Sequence, residues 1–289
     1  MTLRETKTKL GKVVAWEFRR AVMNKGFVIM TVLLPALIGL VILIYGLAEG
    51  RGASNVPSES LPPFLIAVFL ALILFVGAFI SGVIVFYGVL KEKASRVVEL
   101  VLSSVSAKDM MAGKIIGLGL AGLIQAIVWA VLAYFAARRF LPITLAGLSP
   151  MQLVTYPLYF VFGYLLVATL YATAASTMKD VHSGGVQGMV GLIVYLPMVF
   201  LKILVEHPEL PWVRAAGFFP PFTPSVMMIR MAVTEVAWWE VALSLALLAG
   251  TVFLLTRFAA KVFEVGILMY GKSATLREIW RWGLRSSRG

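Results

Sequence analysis

The sequence predicts an all-α polytopic membrane protein with six transmembrane helices, and three observations carry that prediction. The 289 residues are 60% hydrophobic and only 14% charged, against about 45–50% apolar and a quarter charged for an ordinary soluble domain. Apolar runs long enough to cross a bilayer core of about 30 Å as a helix recur along the chain. Basic residues gather in alternate connections between those runs, which is how Lys and Arg fix membrane orientation.

The six spans fall at about 27–48, 64–90, 115–136, 151–176, 186–205 and 238–260. The first follows a basic segment too long for the charged region of a signal peptide, and no small-residue cleavage site closes it, so it reads as a retained span. Arg4, Lys7, Lys9, Lys12, Arg19, Arg20 and Lys25 precede it. Lys91, Lys93, Arg96, Lys108, Lys114 and Lys179 lie in the second and fourth connections, and seven more basic residues from Arg257 to Arg288 close the chain. That places 20 of the 26 Lys and Arg residues on one side. The expectation is a multi-pass protein of the cell membrane with both termini cytoplasmic. The formal charge of +12 is accounted for by topology, and a nucleic-acid partner is not expected.

Three segments fit no span. In residues 10–25, Leu10, Val14, Phe18 and Ala21 fall on one helical face with Lys12, Arg19 and Arg20 elsewhere, the pattern of an interfacial helix lying on the inner leaflet. In 91–114, Glu92, Arg96 and Glu99 form one charged stripe at i, i+4 and i+7 beside an apolar face of Val97, Val98, Val101, Leu102 and Val105. Ser106 and Asp109 have the spacing of a capping box opening the third span. An amphipathic helix of this kind either continues the second span into the headgroups or meets a partner. Residues 206–237 are apolar yet broken by Pro208, Pro211, Pro220, Pro221 and Pro224, so they form no single spanning helix. Short helices dipping back into the outer leaflet fit them best, a re-entrant hairpin with Pro220, Pro221, Thr223 and Pro224 at its turn. Thr223 or Ser225 is the expected cap of its second helix.

Catalytic chemistry has little to stand on. There is no cysteine, and the two histidines, His182 and His207, lie in connections, so zinc sites of the usual spacing are excluded. Ser183 beside His182 reads as a polar turn, because adjacent residues rarely form a nucleophile–base pair. Within the spans Lys202, Glu240 and Arg257 fall near the ends, where long side chains snorkel. Gln125 and Gln187 are the conspicuous interior polar residues, suited to hydrogen bonding between helices. Proton- and ion-coupled carriers keep ionisable groups at mid-membrane, so energy for uphill movement is expected from another chain. The run GILMYGKS at 266–273 matches the phosphate-loop pattern by letter. It follows an apolar span where a phosphate loop follows a buried strand, and Ile267, Leu268, Met269 and Tyr270 crowd the place where backbone must approach phosphate. ATP binding by this run is not expected.

The run KEKASRVVELVLSSVSAKDMMAGKIIG resembles the signature of type-2 ABC-transporter permeases, in the sodium-efflux (NatB-like) branch. AWEFRRAVMNKGFVIMTVLLP, FFPPFTPSVMMIRM, WWEVALSLALL and AAKVFEVGILMYGKSATLREIWRW are similar to other stretches of that family, so the likeness extends over nearly the whole chain as a single permease domain, 1–289. The resemblance implies that 91–114 is a coupling helix docking on cytoplasmic ABC ATPase subunits through Glu92, Arg96 and Glu99. The segment before the first span becomes an elbow helix, and a second permease copy or homologue completes the pathway. It implies that ATP and magnesium belong to the partner and that no cofactor is held here. It also marks a departure: branch members usually carry a large extracellular domain between spans one and two, where this chain has only EGRGASNVPSESLPP. The expected role is the permease subunit of an exporter, not an enzyme. Sodium, drugs, peptides and lipids are all compatible cargoes. A membrane enzyme acting on lipid or peptide lacks a nucleophile, metal set or carboxylate pair, and a scaffold or sensor has no evident use for the proline-broken segment.

Overall fold

The computed structural model describes residues 3–29, 31–33, 36, 63–94, 106–140, 149–178 and 184–268. Among these the ordered elements are helices, with no strand. They are α1 (Leu3–Val22), α2 (Pro63–Ala94), α3 (Ala107–Phe140), α4 (Pro150–Thr177), α5 (Gly184–Val199), α6 (Leu201–Glu206), α7 (Pro211–Phe218), α8 (Thr223–Val233) and α9 (Trp238–Leu268). Three stretches, Asp109–Trp129, Pro150–Thr177 and Trp238–Glu264, are long and apolar enough to cross a membrane. Val76–Lys91 and Gly185–Val199 are shorter apolar helices.

Helix starts follow local chemistry. Asn24 ends the first helical run and restarts the chain, its side-chain oxygen accepting from the N–H of Gly26 at 2.8 Å. Ser106 caps α3 as its spacing predicts, accepting from the Asp109 N–H at 3.1 Å. The reciprocal partner differs from a full capping box, because the Asp109 carboxylate accepts from the Ser106 hydroxyl at 2.7 Å. A complete box opens α4: Ser149 Oγ accepts from the Gln152 N–H, while Gln152 Oε1 accepts from the Ser149 N–H, satisfying two otherwise orphaned donors.

Helix α4 is the hub, packing against α2, α3 and α9. Its buried tyrosines, Tyr156, Tyr159, Tyr164 and Tyr171, need space on the neighbouring helices, and glycines supply it. Gly82 of α2 lies under the Tyr171 ring and Gly122 of α3 under Tyr164. Small residues at helix contacts are how apolar helices approach closely in a bilayer, where no hydrophobic force draws one helix to another. The exposed faces of α3, α5 and α9 carry Ile127, Leu192, Phe253 and Leu254, as surfaces facing lipid do.

Two readings change. The span placed at 186–205 is two helices, α5 and α6, broken at Phe200. Pro197 lies one turn before the break, and a ring without an N–H clashes with the preceding turn. Residues 10–22 are helical, the helix ending three residues short of the expected bound, and the face read as lying on lipid packs on protein: α1 lies along α3. The contact is close enough to need glycine. A Cβ on Gly117 would stand 2.8 Å from the Val14 carbonyl oxygen and 3.1 Å from the Phe18 backbone nitrogen, and one on Gly113 would strike Val13. Gly117→Ala therefore forces two backbones apart and should destabilise the protein by about 1–3 kcal/mol. Gly250→Ala, where an added Cβ meets nothing within 4 Å, should be neutral or stabilising by up to about 1 kcal/mol. Thermal unfolding of the two variants in the same detergent checks the contrast.

Candidate functional site

The proline-broken segment is built as α6, α7 and α8, stacked at one end of the bundle. Pro211 opens α7 and Pro224 lies in the first turn of α8, positions where a missing N–H costs nothing. Pro220 and Pro221 make the turn between them, closed by Phe222 and Thr223 N–H groups donating to the Phe219 carbonyl at 2.8 and 2.9 Å. Thr223 and Pro224 are buried, Pro220 and Pro221 half-buried. The short helices share a small core of Leu204, Val213, Val226 and Ile229.

The expected side-chain cap of α8 is absent. Phe222 takes the N-cap position with no side-chain hydrogen bond. Ser225 Oγ donates to the Phe222 carbonyl at 3.1 Å, and Thr223 Oγ1 is buried without a partner. The proline turn sets the helix start through backbone bonds.

What holds this end together is a charge cluster. Arg230, near the end of α8, is 1% exposed. Its Nη1 donates to Glu240 Oε2 at 2.9 Å, its Nε to the Pro208 carbonyl at 3.0 Å and its Nη2 to Glu209 Oε1 at 3.4 Å. Arg214 of α7 donates from Nη2 to the other oxygen of Glu240. Thr234 Oγ1 donates to Glu209 at 3.2 Å. Four charges of two signs thus join α7, α8, the α6–α7 connection and the first turn of α9. Polar side chains of α4 hold the same end from below. Gln152 Nε2 donates to the Met231 carbonyl, one of the orphaned acceptors at the α8 C-terminus. Tyr156 donates to the Met228 carbonyl at 3.2 Å, and the Tyr159 hydroxyl pairs with Ser244 at 2.7 Å. Around this cluster Phe200, Trp212, Phe219, Trp238 and Trp239 are exposed, the aromatic belt of a membrane–water boundary.

The opposite end has a second buried pair. Lys114 Nζ of α3 donates to Glu17 Oε1 of α1, both side chains at most 5% exposed, and Gly88 near the end of α2 lies beside the same ammonium. The three ends of α1, α2 and α3 therefore meet where the 91–114 stripe begins. Of that stripe, Glu92 lies on the last turn of α2, while Arg96 and Glu99 fall outside the described residues. The GILMYGKS run from 269 onward also lies outside them.

A charged cluster at each end, three membrane-length helices and an apolar exterior describe a membrane domain. Residues 54–261 match the family model described as ABC-2 family transporter protein. The chain belongs to the ABC-2 transporter family. This ABC-2 chain is similar to an uncharacterized protein, MJ1024, of Methanocaldococcus jannaschii, 28% identical over 206 residues, which is 69% of this chain and 49% of that one. It is also similar to the uncharacterized protein YhaP of Bacillus subtilis, 25% identical over 203 residues, 65% of this chain and 48% of that one. The ABC-2 chain thus spans about half the length of the curated relatives it matches.

Sequence reasoning missed both charge clusters of this ABC-2 domain. By sequence Glu240 snorkels from the end of a span, and Lys114 is one of the basic residues of the 91–114 connection; both are buried and paired. The signal was present as Arg230 inside the apolar run VMMIRMAV and Glu240 directly after two tryptophans. Lys202 does behave as read, exposed with a loose 3.9 Å contact to Glu206. Removing one partner of a buried pair strands the other, so Arg230→Ala should cost about 3–5 kcal/mol. Arg230→Met combined with Glu240→Gln should cost less than the sum of its two single changes, since coupled groups are not additive. Lys202→Ala should leave thermal unfolding unchanged, as exposed pairs contribute little. Melting temperatures of the five variants, counting the two single changes, test the ordering.

Proposed function

We propose that this chain is the membrane-spanning permease subunit of an ATP-driven exporter, with six spans, both termini in the cytoplasm and ATP hydrolysed by a separate ABC subunit. The observation that carries the reading is the ABC-2 transporter domain over residues 54–261, a family of membrane transport components. Two copies, or this chain and a homologue, enclose the path through the plasma membrane. Glu92, Arg96 and Glu99 meet the partner ATPase, and the Pro220–Pro224 turn sits in the outer leaflet as a re-entrant hairpin.

The ends of the bundle support this arrangement. The Glu17–Lys114 pair and Gly88 tie the roots of the 91–114 segment to α1 and α3, so a push delivered there has a rigid base to act on. The aromatic belt near Arg214 and Glu240 marks the other boundary, in agreement with short helices that dip without crossing. The branch assignment and the reduced connection between spans one and two belong to this proposal too, as does the absence of nucleotide chemistry from GILMYGKS.

Glu99→Arg tests the coupling. The stripe is held in the free chain by ion pairs contributing about 0.2–0.5 kcal/mol each, whereas a charge pair lost at a docked interface costs about 2–5 kcal/mol. The variant should insert and melt as the wild type does, yet retain little of the ABC ATPase that co-purifies from native membranes. Undiminished recovery of the ATPase with Glu99→Arg rejects the docking role. Lys272→Ala should leave that recovery and the ATPase rate of the complex unchanged, because a true phosphate-loop lysine contacts the β- and γ-phosphates.

A further inference from the structure

Gln125 is 1% exposed, and among the described residues neither its side-chain nitrogen nor its oxygen has a hydrogen-bond partner. Polar groups buried in an apolar bundle are nearly always paired, and each exception calls for a cause such as a water or another polar group at that place. The position narrows the cause. On α3, Gly122 lies under Tyr164 of α4, and the Trp129 ring lies against Gly77 of α2. Gln125, three residues after the first and four before the second, shares that inward face, near the centre of α3. Ser81 and Tyr164 lie near the centres of α2 and α4 and are bonded to each other, with the tyrosine hydroxyl donating to Ser81 Oγ. That leaves the Ser81 proton free to donate again. Because the burial of Gln125 is complete within one copy of the chain, a second copy has no access to its amide.

We propose that the Gln125 carboxamide is a hydration site at mid-depth in the α2–α3–α4 interior. Water there accepts from the Nε2 hydrogens and donates to Oε1, two of the two to four polar partners that a buried water takes. A dry leucine would serve packing better than an amide with nothing to bond; the amide is useful only if something polar reaches it. The hydration itself depends on neither the cargo nor the ATPase, so it can fail while the permease reading stands.

The chain has no native cysteine, which makes the test direct. Gln125→Cys and, as a dry reference on the same helix, Ala121→Cys are each treated in membrane vesicles with 2-aminoethyl methanethiosulfonate. Only a thiolate reacts, and burial in apolar surroundings suppresses the thiolate, so the Gln125→Cys chain should be modified roughly tenfold faster or more. Equal rates overturn the proposal. Gln125→Leu gives a second reading without a probe. Loss of a watered amide lowers the melting temperature, whereas removal of a dry, unpaired one leaves it unchanged or raises it, and either of the latter results also overturns the proposal.

Discussion

Glu240 occupies the first turn of α9 with its two carboxylate oxygens divided between Arg230 of α8 and Arg214 of α7. A carboxylate buried to this degree is stable only when paired and hydrogen-bonded, and here the pairing does architectural work that the short helices cannot do for themselves. α7 and α8 have eight and eleven residues, too few to cross a bilayer core and too short to be stable alone. Their free ends must be satisfied by protein. Gln152 reaches the Met231 carbonyl in the last turn of α8, while Tyr156 bonds the Met228 carbonyl within that helix and Arg230 the Pro208 carbonyl in the connection before α7. The cluster sets where α9 begins, α9 packs along α4, and α4 organises the bundle.

The two ends and the middle of the bundle use different physics. At the ends, charges are buried in opposite-sign pairs. Through the middle, tyrosine rings on α4 fill the space left by glycines on α2 and α3, and aromatic neighbours such as Phe86 and Phe79 stand edge-on to Tyr171. Ring-over-glycine packing gives close helix contacts without polar atoms. That is why the exceptions in this layer, the Gln125 amide and the Tyr171 hydroxyl, stand out.

Elements defined by periodic hydrophobicity were legible in the sequence. The described ends of α4 and of the Ser106 cap lie within a residue or two of the pattern, because capping and apolar length are local properties. The break at Phe200 was not read, although Pro197 announced it, since an apolar run long enough to span invites a continuous helix. Partners were harder still. Glu17 and Lys114 are 97 residues apart, and in sequence each looks like one more charge at a membrane surface. Glycine was the overlooked clue: Gly113 and Gly117, one turn apart on α3, mark a groove that only another backbone would need. The stripe of Glu92, Arg96 and Glu99 was read from its charge spacing, and its coupling role from the family likeness alone.

The docking of α1 on that glycine groove has a consequence for biosynthesis. The ribosome completes α1 well before α3 exists, so Glu17 leaves the exit tunnel with no cation to meet and no groove to enter. Only when Gly113, Lys114 and Gly117 have emerged does the nascent chain possess both the slot and the counter-charge. α1, made before α3, therefore finds its place only after α3 has emerged.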